Sequence, residues 1–383
     1  MKKTKIVLLH NILTPHIIPL FERLDKKREL EMKFFFASGS ESNRLWKEEV
    51  RDKFDYKILP KIAIEFREKD LFTYFINPTV LFELIRFNPE VIVSAGWDIF
   101  AYQIAFFYAK LFRKKFILWS GSTKYEPSWR RTISKPLVWL MIKGADACIA
   151  YGTRAKEYLI SLGANPKKIF IAYNTIDVDF FKKEIEKLRK NRERIKENIG
   201  IKTSKIILYV GQLIERKGLV YLIKAFKKLR EEMSDVGLLI VGYGQQEKEL
   251  KELVKNKKIK DVYFYGGASW PEVAKFYAIS DIFVLPSLEE VWGLVINEAM
   301  AAGLPIITTD RVGASIDLVK EGRNGAVAKS SNTHDLFLTM KNILEDPKLL
   351  TGMGKKSFEL IKDFGISNQK KGVFTAINYV SQK

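Results

Sequence analysis

The sequence predicts an α/β protein built from two doubly wound domains facing a cleft, and three observations carry that prediction. Short β-rich apolar runs alternate with longer amphipathic helical stretches from one end to the other. The runs are apolar at nearly every position, as strands of a parallel sheet covered on both faces must be. At 383 residues the chain also exceeds what one compact core usually supports.

In the first half the runs Ile6–Leu9, Met32–Ala37, Val91–Ser94, Phe116–Trp119, Ala147–Tyr151 and Ile169–Ala172 read as strands. Ile17–Leu24, Pro78–Phe87 and Phe100–Leu111 read as helices between them. The second half repeats the scheme with strands at Ile206–Val210, Gly237–Val241, Val262–Tyr265, Ile282–Leu285, Pro305–Thr308 and Gly325–Ala328. Between the halves, Lys182–Lys196 is almost wholly charged or polar, with only Ile185, Leu188 and Ile195 able to pack. It reads as one solvated helix near the domain junction, and its interspersed glutamates argue against a nucleic-acid-binding arm.

Composition narrows the class. With 47% hydrophobic and 13% aromatic residues, the chain is not mainly disordered. Cys148 is the single cysteine and lies in a short apolar run, so it reads as a buried inert thiol in a reducing compartment. The basic start followed by Lys5–Leu9 superficially suggests a signal peptide, but the apolar run is short and no small-residue cleavage site follows, so it reads as a first strand. No stretch approaches the ~20 uninterrupted apolar residues of a spanning helix; Phe100–Phe112 comes nearest and is broken by Gln103 and Lys110. The formal net charge of +20 would suit nucleic acid, anionic lipid or phosphorylated substrates alike.

The most informative segment is Leu285–Pro305. A strand enters a loop holding Glu289, Glu290 and Gly293, and an Ala/Met-rich helix follows, ended by Gly303-Leu304-Pro305. Glycine at 293 lets backbone approach a ligand closely. The amides that open the helix, around Leu294 and Val295, sit at the positive end of its dipole and suit a diphosphate. Glu290 precedes this anion site and Glu298 lies about one turn beyond it, so two carboxylates flank it and can accept bonds from sugar hydroxyls. The bland reading has Glu289 and Glu290 stabilising the dipole and Glu298 facing solvent. The segment closely resembles the E-x7-E signature of retaining glycosyltransferases of family four, which have the GT-B fold of two Rossmann-like domains. The resemblance implies that Glu290 contacts the donor sugar, that Glu298 contacts the ribose, and that the amides of Gly293, Leu294 and Val295 hold the distal phosphate.

Three further turns support it. In Tyr209–Gly218 a strand, Gly211, the basic pair Arg216-Lys217 and Gly218 form a phosphate-binding pattern that is not a Walker loop, though a routine charged loop would look the same. By resemblance it is the second phosphate site: Lys217 matches the family lysine, Gln212 stands where many members have arginine, and Arg216 is the candidate to compensate. Gly242-Tyr243-Gly244 follows a strand, and by resemblance lines the nucleotide pocket. Tyr265-Gly266-Gly267 ends another strand, and by resemblance reads the base through backbone groups. Ala172–Asp177 resembles the domain crossover, with Asn174 matching the family motif and Tyr173 and Thr175 standing where it has Pro and Gly; Asp177-Val178-Asp179 also spells a metal motif of an unrelated fold, a reading set aside because basic groups and a helix dipole already answer the diphosphate. The resemblance thereby places the domains at 1–175, for the acceptor, and 176–362, for the nucleotide sugar, with about 363–383 packing back on the first.

The first half is quieter. The loop Asn11–His16 lacks the glycines many members carry. Asp98, after the strand Val91–Ser94, is the candidate for orienting the acceptor or stabilising positive charge on the sugar, and reads equally as a cap for the helix beginning near Ile99. His10, His16 and His334 are the only histidines, and none can take the place where the family often has one. Trp129, Arg130, Arg131, Lys135, Trp139 and Lys143 interleave tryptophan with cations, as an interfacial membrane contact or an ordinary amphipathic helix would.

The expectation is therefore a retaining hexosyltransferase that moves a sugar from a nucleotide-diphosphate donor, with a UDP-sugar favoured, to a saccharide or lipid-linked acceptor in cell-surface polysaccharide or glycolipid synthesis. Catalysis is assigned to Glu290, Lys217, Arg216 and Asp98, and substrate binding to Gly211, Gly242, Gly244, Gly267, Gly293, Leu294, Val295, Glu298 and Asn174. No metal, no cofactor and no nucleic acid are expected. The protein is expected in the cytoplasm or peripherally on the cytoplasmic face of an anionic membrane. A sugar-nucleotide epimerase or a phosphorylase of the same fold is the alternative enzyme, and a basic nucleic-acid-binding protein the alternative of another class.

Overall fold

The computed structural model of the protein describes residues 3–27, 29–39, 53–67, 71–126, 129–270 and 272–382. The chain divides into two compact units, Met1–Asn174 with Ile366–Lys383, and Thr175–Gly365.

The first unit runs β1 (Thr4–Ile12), α1 (Ile18–Asp25), β2 (Leu30–Ser38), β3 (Tyr56–Ile58), β4 (Ile62–Arg67), β5 (Leu71–Ile76), α2 (Val80–Phe87), β6 (Val91–Ser94), α3 (Phe100–Leu111), β7 (Lys115–Ser120), α4 (Trp129–Gly144), β8 (Ala147–Ala150), α5 (Thr153–Ser161) and β9 (Ile169–Ile171). Seven strands form one parallel sheet in the order β3-β2-β1-β6-β7-β8-β9. The period of two along a strand sorts its layers. Val7 and Leu9 of β1 pack with Leu84 of α2, Ala105 of α3, Met141 of α4 and Leu159 of α5. Ile6 and Leu8 face the opposite way, onto Phe21 of α1 and the terminal helix.

The second unit runs α6 (Val178–Arg189), α7 (Arg192–Ile199), β10 (Lys205–Val210), α8 (Leu219–Glu232), β11 (Val236–Val241), α9 (Glu247–Asn256), β12 (Val262–Gly266), α10 (Ala274–Ile279), β13 (Ile282–Leu285), α11 (Leu294–Ala301), β14 (Ile306–Thr309), α12 (Ser315–Leu318), β15 (Gly325–Ala328), α13 (Thr333–Glu345) and α14 (Pro347–Leu360). Its six parallel strands lie in the order β12-β11-β10-β13-β14-β15. The terminal helix, α15 (Ile366–Ser381), belongs to the first unit, where Val373 and Ile377 complete one core layer.

One element lay outside the sequence reading and two expectations are corrected. β4 and β5 form an antiparallel hairpin, pairing Ile62 with Ile76, that the sequence reading passed over because Glu65 and Arg67 interrupt its apolar run. The solvated helix expected over Lys182–Lys196 is two helices, α6 and α7, and α6 buries Phe181 and Ile185 completely while Lys196 of α7 is itself buried and paired with Glu193 at 3.1 Å. The first strand continues past Leu9 through His10, Asn11 and Ile12, the last two of which had been assigned to the following loop. Cys148 is buried, and burial pushes its thiol up to about 12, so it is inert at neutral pH. Among the described residues no helix is long and apolar enough to cross a membrane.

Candidate functional site

In the second unit the chain leaves β10 toward β11 and β12 on one side and toward β13, β14 and β15 on the other, so β10 and β13 flank the point where strand order reverses. Ligands of such sheets bind outside the carboxyl ends of the strands at that point. The loops that leave these ends are tied together by backbone bonds. Leu288 N–H donates to the Arg216 carbonyl at 2.8 Å, and Gly313 N–H donates to the Glu290 carbonyl at 2.9 Å. Thr309 Oγ1 donates to the Ser287 carbonyl at 2.5 Å. A single turn of 3-10 helix, Glu215–Lys217, presents the basic pair immediately before α8.

Within this frame Lys217 and Glu290, 73 residues apart in sequence, form a direct ion pair. Both side chains are nearly enclosed, at 11% and 13% exposure, which weakens the competition of water for the pair. Arg216 is half-buried at the same place. The phenol of Tyr209, wholly buried at the end of β10, feels both charges: burial and then the Glu290 carboxylate raise it well above its usual value, while the Arg216 guanidinium acts against them. Tyr209 Oη donates to the Gln212 carbonyl at 2.8 Å and so fixes the turn after Gly211.

Gly293 occupies the cap position of α11 with φ +94°, a left-handed conformation in which a side chain is strained. The amides of Leu294 and Val295 begin the helix, and its first turn carries no acidic residue. Glu289 and Glu290 precede that turn. Glu298 is not simply solvent-facing either: it accepts a hydrogen bond from Tyr277 Oη at 2.7 Å, and burial pushes its carboxyl up to about 7, with the Tyr277 bond opposing the shift. Asn297, fully buried beside it, accepts from Trp292 Nε1 at 3.0 Å and donates to Thr175 Oγ1 at 3.4 Å. This polar chain holds the start of α11.

The neighbouring turns approach one another with no room for side chains. A Cβ added to Gly242 would lie 1.8 Å from the Gly211 carbonyl oxygen. Gly244 follows in the same turn, whose Tyr243 carbonyl accepts from Leu213 N–H at 2.9 Å. Gly267 is exposed just beyond β12, at the sheet's edge. The sequence reading gave no role to Tyr277, Tyr209, Asn297 or Trp292. A tyrosine in a helix and another inside a strand carry no motif, and their roles exist only once distant loops meet.

Asp98 and Asn174 belong to the first unit. Asp98 is exposed after β6, and the cap position of α3 falls on Ile99, one residue later than the sequence reading allowed. Burial and then the charge of Asp98 raise the phenols of Tyr74, Tyr102 and Tyr151, so this carboxylate is in electrostatic reach of three tyrosines from separate stretches. The buried Tyr102 Oη has no hydrogen-bond partner among the described residues. Asn174 is buried, its N–H donating to the Tyr151 carbonyl at 3.1 Å. Asp177 caps α6, accepting from Phe180 N–H at 3.1 Å. His10 is buried against Phe21 and Phe36; burial lowers it to about 4, so it is neutral, donating from Nδ1 to the Ile12 carbonyl at 3.0 Å. Lys135 and Trp139 are exposed on α4, whereas the side chains of Trp129, Arg130 and Arg131 lie outside the described residues.

Two Rossmann-like halves, each with this strand order, define the chain as a protein of the GT-B fold. Consistent with that class, the Anabaena HepE protein in complex with UDP and glucose superposes with a TM-score of 0.74 over 98% of this chain and 99% of that one, at 15% identity. Residues 191–359 match the family described as Glycosyl transferases group 1. An uncharacterized glycosyltransferase of Haemophilus influenzae is 35% identical over 164 residues, 43% of this chain and 46% of that protein. The N-acetyl-alpha-D-glucosaminyl L-malate synthase of Bacillus anthracis is 32% identical over 197 residues, 51% of this chain and 49% of that protein. The matches to these two relatives thus span about half of their length. The stretch 191–359 of the second unit is thus similar to glycosyltransferases.

Proposed function

We propose that the chain is a retaining glycosyltransferase of the hexosyl type, whose second unit binds a nucleotide-diphosphate sugar and whose first unit binds a saccharide or lipid-linked acceptor. The observation that carries this reading is the Lys217–Glu290 ion pair at the point of strand reversal, on the loop that leads into the open start of α11. A diphosphate fits the amides of Gly293, Leu294 and Val295, and Lys217 and Arg216 supply the cations for its charge. Glu290, once Lys217 turns to phosphate, is left to accept bonds from the sugar, and Glu298 from the ribose. The acceptor oxygen bonds to carbon one while the bond from that carbon to the diphosphate oxygen breaks, and the hydroxyl proton passes to the departing diphosphate on the same face. Charge accumulates on the leaving group, so fixed cations and amides lower the barrier without rearranging. Asp98 orients the acceptor. A UDP-sugar is the favoured donor, in keeping with the UDP and glucose held by the structurally similar Anabaena protein. Synthesis of cell-surface polysaccharide or glycolipid is the favoured setting, in the cytoplasm or on its membrane face.

Release of nucleoside diphosphate from a panel of UDP-, GDP- and ADP-sugars, with and without saccharide acceptors, tests the reading. Acceptor-dependent release with one donor supports it. Isomerised donor without acceptor would turn the assignment to an epimerase, and no binding of any nucleotide sugar would end it.

A further inference from the structure

The layer of helices α2 to α5 on the first unit's sheet presents an unusual outer face. On α2, Val80, Leu84 and Phe87 fill the core, yet the opposite side carries Leu81, Phe82 and Ile85, with Phe82 62% exposed. On the adjacent α3 and its end, Phe107, Leu111 and Phe112 are exposed, Leu111 at 77%. The helices are locked side by side, Tyr108 Oη donating to the Leu84 carbonyl at 3.2 Å, so the two apolar strips are rigid neighbours. Trp139 and Leu140 of α4 are exposed in the same layer. Contiguous apolar exposure of this size marks an interaction surface.

Cations predominate around it, the carboxylates among them being Glu83, Asp55, Glu90 and Asp146, the last held by Lys110 of α3 at 3.2 Å. α3 contains no acidic residue and is followed by Arg113, Lys114 and Lys115. The single acid of α2, Glu83, is buried and held by Lys57 at 2.7 Å. Where α2 ends, Lys5, Lys33 and Lys57 from three adjacent strands join Arg86 around a cavity of about 290 Å³. Its other carboxylate, Asp55, is already engaged by Lys33 at 3.7 Å, and Phe87 forms an aromatic wall under the Lys5 and Lys33 ammonium groups at 5.2 Å. Apolar side chains for an acyl boundary therefore lie beside a cationic cavity of headgroup size.

We propose that this α2–α3 face docks the protein on an anionic lipid surface, with phosphate headgroups taken at the Lys33–Arg86 cavity. The surface centres on α2 and α3 and takes in only Trp139 of the α4 tryptophans to which the sequence drew attention, and docking there needs no nucleotide sugar. The test is co-sedimentation with phosphatidylcholine vesicles with and without phosphatidylglycerol, using the parent chain, the double variant Phe82→Ser with Leu111→Ser, and Arg86→Glu. Because the three substituted side chains are exposed, unchanged circular dichroism and melting are expected. Binding to the anionic vesicles alone, weakened at least about tenfold by both variants and by added salt, is the expected result. Equal binding by all three proteins, or none by the parent, overturns the proposal. So does a parent dimer in light scattering that the double variant dissociates, which would assign the face to a second copy.

Discussion

Lys217 and Glu290 neutralise one another in a nearly closed place, so a diphosphate entering there exchanges one anionic partner of the lysine for another. The exchange retains the charge balance of the site and frees the carboxylate for hydroxyl donors. Lys217→Ala removes a pre-aimed cation, and we expect kcat to fall by about 100-fold, ~3 kcal/mol in barrier. Glu290→Gln should cost a similar factor while circular dichroism stays native; near-parental initial rates in both variants would remove the donor-site assignment. Glu298 makes a different prediction. Its carboxyl is raised to about 7, so the folded donor-free protein holds it largely protonated below that pH. Folding stability from this group is full at acidic pH and is lost as pH rises through about 7, because the unfolded chain ionises far more readily. Donor binding has the opposite sign. Ribose hydroxyls donate to the carboxylate, so the donor KM should fall as pH rises through about 7, and Glu298→Gln should flatten that profile. A KM–pH profile unchanged in the Gln variant would detach Glu298 from the donor.

At the scale of elements, the start of α11 is what the site is built on. Gly293→Ala places a Cβ on backbone at φ +94°, and we expect a loss of about 1–2 kcal/mol in urea unfolding together with weaker donor binding. Asp177→Ala, which removes the cap of α6, should cost about 1 kcal/mol in the same urea unfolding. These elements were legible because local rules suffice for them. Val91–Ser94, Phe100–Leu111, Ile282–Leu285 and Gly325–Ala328 have the bounds their apolar runs dictate. Glycine at 293 announces a left-handed cap. What was not legible depends on pairings that no local pattern encodes. The hairpin of β4 and β5 hides behind its charged residues, Lys196 is buried by tertiary packing despite its polarity, and the Glu298–Tyr277 bond joins two helices. Asp98 could be singled out by its place after a strand, but the tyrosines in its electrostatic reach come from three unrelated stretches.

At the scale of the whole molecule, the two units have separate sheets, so ligand binding should register unevenly between them. A ligand that binds only the folded second unit stabilises it by about 2.7 kcal/mol at 100 times its Kd. The gain is felt by amides whose exchange requires that unit to open, since local opening free energies differ across a structure. Hydrogen exchange with saturating nucleoside diphosphate and no acceptor should therefore slow in β10, β13 and the first turn of α11, where the loops of Lys217, Glu290 and Gly293 meet. The strands β1, β6 and β7 of the first unit should exchange as before. The Lys217→Ala protein should show the same map with smaller protection, because the amide site remains and one cation is gone. Protection appearing first in the first unit, or spread evenly through both, would place the nucleotide elsewhere and leave the Lys217–Glu290 pair as a structural ion pair.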